Sequence, residues 1–249
     1  MIDHEKGVWK VYERFIARLL ADQAATDLCV TPNARIKGGI SGRKRQLDVV
    51  IDCRHDTDNS HRIIVDAKCR HRKIDVVQVE AFEGLMKDVG ATHGILVCPV
   101  GHTKAAERRA QESITIRLVP VDYLQDFDPS RWDKCQKKGC DRGYVFWDGY
   151  PEFRLDLQAV SPLALEQNKT LFFRNYVGKC DRCTRFHVKC LNCGELFSLT
   201  NKSEYRCRCN PPWFWLTSIE QDEDGRRSAE LHAVMCNGNV ITVDRKPYS

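Results

Sequence analysis

The sequence predicts an α/β layer built on a mixed sheet, followed by a small β-rich domain that depends on metal. Three observations carry this. Through roughly the first half, apolar residues recur at helical spacing in some segments and as short β-branched runs in others, in the order helix, strands, helix, strand, helix, strand. Near residue 130 the texture changes to short aromatic stretches and turns. Eight of the 13 cysteines then fall into four close pairs, all in the second half.

Composition sets the outer limits. A chain of 249 residues, 42% hydrophobic and 29% charged, holds enough apolar material for a sizeable core and is unlike a disordered tail or a fibre. The longest apolar runs, such as residues 94–100, are far too short to cross a bilayer, and the N-terminus lacks the apolar stretch of a secretory signal. The expected protein is soluble and cytoplasmic, with no membrane partner and no organic cofactor.

Residues 5–21 place Val8, Tyr12, Phe15, Ile16, Leu19 and Leu20 at helical spacing. A basic, Gly-containing segment over 37–42 leads into a strand at 46–52. Residues 54–60 form a polar turn, and 62–68 is a second strand, close enough to pair with the first as a hairpin. Val79, Phe82, Leu85, Met86 and Val89 give a helix over 74–89 that stops at Gly90. A strand at 94–100, a helix at 103–112 with Thr103 as N-cap, and a strand at 115–119 complete the layer. The boundary falls near residue 130, giving domains 1–130 and 131–249. In the second, Asp224-Gly225 and Asn237-Gly238 mark hairpin turns.

Strand alternation sends Asp66 and Lys68 to one face, with Val65 and Ala67 on the other. Asp48, with Leu47, Val49 and Ile51 on its opposite face, is placed to meet Asp66 across the hairpin. Two carboxylates drawn together repel unless a cation or proton sits between them. Mg²⁺ suits one or two carboxylates, and a neighbouring lysine can hold a water or a developing negative charge. Asp52 shares the face of Asp48 but lies about 13 Å further along the strand, out of reach of the same ion.

Asp48, then Asp66-Ala67-Lys68, with Glu13 in the preceding helix, resemble the PD-(D/E)XK nuclease superfamily in its Mrr-like restriction endonuclease branch. The run 42–48, the Asp-x-Lys strand, and Val79-Glu80-Ala81-Phe82 followed by 90–97 are similar to that branch over about residues 7–125. The resemblance implies a restriction-endonuclease-like core and Mg²⁺-assisted phosphodiester hydrolysis with DNA as partner. It also implies roles: Asp48, Asp66 and the Ala67 carbonyl as Mg²⁺ ligands, Lys68 orienting the attacking water, and Glu13 binding a second ion or water. Many members carry Glu where Asp66 stands, one methylene longer. Gln78 resembles a helix glutamine that some relatives place near the site, with Glu80 as its rival.

Cys190-Leu191-Asn192-Cys193-Gly194, twelve further residues, then Cys207-Arg208-Cys209 has the spacing of a zinc ribbon, where Gly194 permits the tight turn. Cys135 and Cys140 with Cys180 and Cys183 would make a second four-thiolate site, although four knuckles combine in three ways and chain order does not choose among them. His187 is an alternative ligand. Thioredoxin-like redox chemistry needs a single pair between a strand and a helix, so four pairs favour metal. About two structural Zn²⁺ per chain are expected, and they would lower the formal charge of +5 to about +1. Local basic clusters therefore matter more than the global field. Arg43, Lys44, Arg45, Arg70 and Arg72 are the candidate nucleic-acid contacts beside the acidic strands. Arg182, Arg185, Lys189, Arg206 and Arg208 interleave with Phe186, Tyr205, Trp213 and Trp215, a pattern suited to phosphate contact and base stacking.

The expected function is a Mg²⁺-dependent endodeoxyribonuclease whose zinc module positions nucleic acid or a partner. The alternative is a non-catalytic nucleic-acid-binding protein that keeps the nuclease fold and reads through the zinc module. A homodimer is the expected assembly, because one site cuts one strand.

Overall fold

Tyr12, Ile16 and Ala17 line the buried stripe of α1 (His4–Gln23) and seat it on the sheet. The computed structural model describes residues 4–24, 27–55, 61–69, 71–113, 115–121, 132–156, 170–200, 204–222, 225 and 227–248. Five strands lie side by side in chain order: β1 (Leu28–Lys37), β2 (Lys44–Cys53), β3 (Ile63–Ala67), β4 (His93–Val97) and β5 (Ile116–Val119). The first three pair antiparallel. From β3 onward pairing is parallel, because α2 (Val76–Val89) and α3 (Lys104–Glu112) return the chain to the same end of the sheet. Asp75 caps α2, Gly90 closes it at φ 67°, and Thr103 caps α3. Val49, Ile51, Val65 and Val97 pack toward α1, while Val50, Ile64 and Leu96 pack toward α2 and α3. The expected mixed α/β layer is present, each expected element within a few residues of its position.

β1 is a strand with no counterpart among the elements expected from the sequence. It forms the sheet's edge, where proline is tolerated, and Asn33 takes φ 50°. Beyond that point the hairpin turns over. Val30, Val49 and Ile51 face α1, but Ala34, Ile36 and Leu47 face α2, so the two faces exchange at Asn33 and Asp48. Leu47 therefore does not share a face with Val49 and Ile51, as strict alternation predicts. The hairpin tip then curls onto the end of α2, where Asp88 accepts from Ile40 N (3.1 Å), Ser41 N (2.8 Å) and Ser41 Oγ (2.7 Å) and pairs with Arg45 (2.6 Å). Those donors hold the Asp88 carboxyl well below its ordinary range. A side chain at Gly38 would collide with that carboxylate.

In the second half, β6 (Val145–Gly149), β8 (Thr170–Cys180), β9 (Phe186–Cys190) and β10 (Leu196–Ser198) form one sheet, with β7 (Glu152–Asp156) paired to β8. β11 (Trp213–Gln221), β12 (Arg227–Met235) and β13 (Val240–Pro247) form a meander. Both expected hairpins occur, with Gly225 at φ 77° and Gly238 at φ 87°; Asp224 lies outside the described residues. Phe153, Val177, Phe186, Trp213, Trp215 and Leu231 make the core between the sheets.

The expected boundary near residue 130 falls outside the described residues. What is described is a shared core: Phe146 of β6 packs among Tyr12, Ile16, Val30 and Val49, with Trp132 edge-on to it at 5.6 Å. A buried charge cluster lies beside it. Lys179 Nζ meets Asp244 at 2.8 Å and Asp148 at 3.2 Å, and Arg54 Nη1 reaches Asp244 at 2.9 Å. Val30 N donates to Asp148 Oδ2 (3.0 Å), and Arg54 Nη2 donates to the carbonyls of Leu28 (2.9 Å) and Asp148 (2.8 Å). Two cations and two anions balance here, so removing any one leaves a buried uncompensated charge.

Candidate active site and metal centres

The ladder between β2 and β3 pairs Val49 with Val65 and Ile51 with Ile63, and the next opposed positions in that register are Asp48 and Asp66. Asp48 sits where the hairpin turns over, and its Oδ2 accepts the Ala67 N–H at 2.8 Å. Lys68 Nζ lies 2.6 Å from Asp66 Oδ2, while the Lys68 N–H donates to Val97 O (2.7 Å) and carries the strand onto β4. Asp66 and Lys68 keep 20% and 26% of their side-chain surface exposed, so the cluster opens to solvent on that side. Glu13 reaches it from α1, hydrogen-bonded to Asp48. The helix is held there by Tyr12 Oη donating to Val121 O (2.7 Å) and by the ion pair between Arg14 and Asp181.

The electrostatics follow from crowding. Burial, then the charge of Asp48, pushes Glu13 up to about 8. Burial, then the charge of Asp66, pushes Asp48 up to about 6, against the pull of the Ala67 N–H and Lys68. Three carboxyls thus crowd together, with Lys68 beside Asp66 and Lys10 acting on Glu13 from its own helix. A divalent cation relieves such repulsion, and an all-oxygen donor set of carboxylates fits a hard ion such as Mg²⁺. Both carboxyls bind protons more tightly in the folded chain than unfolded. Their contribution to stability is therefore full below about pH 4 and lost as pH rises through about 6 for Asp48 and about 8 for Glu13. We expect the metal-free melting temperature to fall by roughly 10–20 °C between pH 5 and pH 8, from about 5 kcal/mol as both carboxyls give up their protons. Mg²⁺ should restore it at pH 8, and Glu13→Gln should flatten the profile. Superimposable melting profiles for wild type and Glu13→Gln would show that the carboxyls are uncoupled.

Other expected residues are placed differently. Gln78 completes the capping box of α2: its Oε1 accepts from Asp75 N (3.0 Å) and its N–H donates to Asp75 (3.0 Å), so it is committed to the helix start rather than to Asp48 or Asp66. Its rival Glu80 pairs with Arg109 (3.6 Å). Asp52 is bound by Arg62 at 2.9 and 3.1 Å, away from the cluster as expected. Arg43, Lys44 and Arg72 are exposed, Arg45 is taken by Asp88, and Arg70 lies outside the described residues.

The cysteines resolve into two groups, Cys135, Cys140, Cys180 and Cys183, and Cys190, Cys193, Cys207 and Cys209, each with its sulfurs within 4.8 Å of one another. Of three possible combinations, the fold selects the one that pairs neighbouring knuckles. The knuckle N–H groups of Arg182 and Cys183 point at Cys180 Sγ (3.4 Å each) and that of Lys137 at Cys135 Sγ (3.4 Å), dipoles that favour thiolates. Four sulfurs so arranged fit tetrahedral Zn²⁺ with no open position. His187 is not among them. It is fully buried, accepting from Gln136 N at Nε2 (3.1 Å) and held at Nδ1 by Arg185 O (2.9 Å), so it ties the two knuckles of the first centre together. Trp213, Trp215 and Phe186 are core residues, which withdraws them from base stacking. Of the unpaired cysteines, Cys29 and Cys98 are buried; burial pushes the Cys29 thiol up to about 12.

Gly143 was invisible to sequence reasoning. A Cβ there would lie 2.5 Å from Cys180 Sγ and 2.7 Å from Cys140 Sγ. Gly143→Ala should cut bound zinc from about two to about one per chain, read by elemental analysis. An unchanged count would mean that the first centre is looser than this geometry.

A family model described as restriction endonuclease, Mrr_cat, matches residues 5–127. No curated protein matches the chain. The crystal structure of a protein of unknown function, AF1548, is similar at 16% identity and a TM-score of 0.38, over 48% of this chain; the chain spans 61% of that protein's length. Among the described residues no helix is long and apolar enough to cross a membrane.

Proposed function

The chain belongs, through residues 5–127, to the restriction endonuclease family, and from that premise we propose that it is a Mg²⁺-dependent endonuclease hydrolysing phosphodiester bonds in DNA. The observation that carries this reading is the crowding of Glu13, Asp48 and Asp66, with Lys68 against Asp66, at the open end of the β2–β3 ladder. Asp48 and Asp66, with the Ala67 carbonyl, would hold Mg²⁺. Bound there, the ion supplies charge to the scissile phosphate and lowers the pKa of a water. Lys68, beside Asp66, orients that water and meets developing negative charge. Glu13 holds a second ion or water on the α1 side. The cysteine centres would take Zn²⁺ and act structurally. A homodimer would supply the second cut of a duplex; a monomer by sedimentation on DNA that only nicks removes that part of the reading.

The test separates catalysis from binding. Wild type nicks supercoiled plasmid with Mg²⁺ and not with EDTA, while Asp66→Ala binds the same DNA without cutting it. Equal nicking by Asp66→Ala moves the site elsewhere. Binding with no nicking by either protein favours the non-catalytic alternative.

A further inference from the structure

A cleft of about 530 Å³ runs between β1, the first cysteine centre and β13. Arg35 and Lys44 enter it from the β1–β2 hairpin, Lys137 from the loop joining Cys135 to Cys140, Arg182 and Arg185 from the knuckle at Cys183, and Lys246 from β13. Among the described residues no aspartate or glutamate lines it. We propose that this cleft is a binding track for the sugar–phosphate backbone of nucleic acid, separate from the acidic cluster; it rests on the reading that the chain acts on DNA.

The half-buried Lys137 and Arg185 stand out against the other enclosed cations of the described chain. Where its cations are buried or half-buried elsewhere, they meet carboxylates: Arg14 with Asp181, Arg54 and Lys179 with Asp244, Arg62 with Asp52, Lys189 with Asp133. In the cleft, Arg35, Lys44, Lys137, Arg182 and Arg185 make no ion pair with a carboxylate among the described residues. Lys246 donates to the carbonyl and hydroxyl of Thr184 and lies 5.0 Å over the Phe186 ring, with Cys183 and Asp244 as the acidic groups that act on it. A zinc tetrathiolate at the first centre carries about −2, which leaves the six side chains about four charges in excess. Cations drawn from separate strands and loops into one concavity repel one another, and an anionic occupant relieves the repulsion.

Two features point to a polymer rather than a lone phosphate. Six cations spread through the cleft exceed what one phosphate engages, whereas duplex DNA presents a charge every ~1.7 Å of its axis. Lys44 also lies only four residues from Asp48 on β2, at most about 13 Å, so a backbone held in the cleft continues toward the acidic cluster. The cleft is lined mainly by polar groups, which suits backbone contact rather than a base pocket.

The test is anisotropy of a fluorescent duplex with the zinc-loaded full chain in Ca²⁺, over a series of salt concentrations. Arg35→Gln and Arg182→Gln, both at exposed positions, are combined; exposed Arg108→Gln on α3 is the control. With zinc content unchanged, the double variant should bind about 10-fold more weakly, and its slope of log K against log salt should fall by about two, one per lost phosphate contact. The control should match wild type. A double variant with wild-type affinity and slope overturns the cleft alone and leaves the nuclease reading standing. Failure of wild type to bind DNA at any salt overturns both. Loss of binding to inorganic phosphate or to an acidic peptide, with DNA affinity intact, overturns the nucleic-acid assignment.

Discussion

Asp48→Ala, Asp66→Ala and Lys68→Ala should each lower the single-turnover rate of Mg²⁺-dependent plasmid cleavage by at least about 10³-fold while the protein stays folded. The two carboxylates face each other at the end of a ladder already closed by Val49 and Val65. Removing either therefore deletes a charge without touching the strand pairing. Asp48→Ala also leaves the Ala67 N–H, at a buried position of the central strand, without its acceptor, a cost of about 1–3 kcal/mol that the other two variants do not carry. Relief of carboxylate repulsion should even raise the metal-free melting temperature of the Asp48 variant above pH 6, because burial and Asp66 hold that carboxyl at about 6. Lys68→Ala removes the cation paired with Asp66 and should retain metal binding, which separates positioning of water from binding of the ion. Unfolding of all three variants would instead mark the cluster as structural.

The second large effect is that of metal removal. Two groups of four cysteines tie the ends of β8 and β9 to the knuckles around them, and Zn²⁺ bound there would hold those turns in place. Chelation should release about two zinc ions per chain and open residues from about 135 onward to protease, leaving a fragment that ends near residue 130. The structure adds a consequence that the sequence did not suggest. Phe146 belongs to the same core as Tyr12 and Ile16, and Arg54 is neutralised by Asp148 and Asp244. Losing the module exposes that core face and leaves Arg54 without its carboxylates. The fragment should therefore melt below the intact protein rather than match it. A zinc count near one would leave the Cys135 group as thiols, and a count of zero would remove the module as a metal domain.

Legibility differed with the range of the interaction. The apposition of Asp48 and Asp66 could be read because period-two alternation fixes hairpin register over a few residues. The position of Leu47 could not, since the face exchange depends on the φ of Asn33 and on a hairpin tip anchored to Asp88. The cluster of Arg54, Asp148, Lys179 and Asp244 was out of reach: its charges stand up to 190 positions apart and look like solvated residues until the chain folds. Cysteine spacing announced metal, but the choice among three pairings came only with the sheet. Gln78 shows the opposite limit. Its spacing from Lys68 suggested the site, whereas the local pattern Asp75-x-x-Gln78 already spelled a capping box.

The central claim is that a divalent cation belongs between Asp48 and Asp66. Crystals of the zinc-loaded protein soaked in Mn²⁺ and measured at the manganese edge address it directly. The account predicts an anomalous peak in contact with both carboxylates and the Ala67 carbonyl, absent from Asp66→Ala crystals. A manganese peak elsewhere with none at this position, or the same peak persisting in Asp66→Ala, would contradict it.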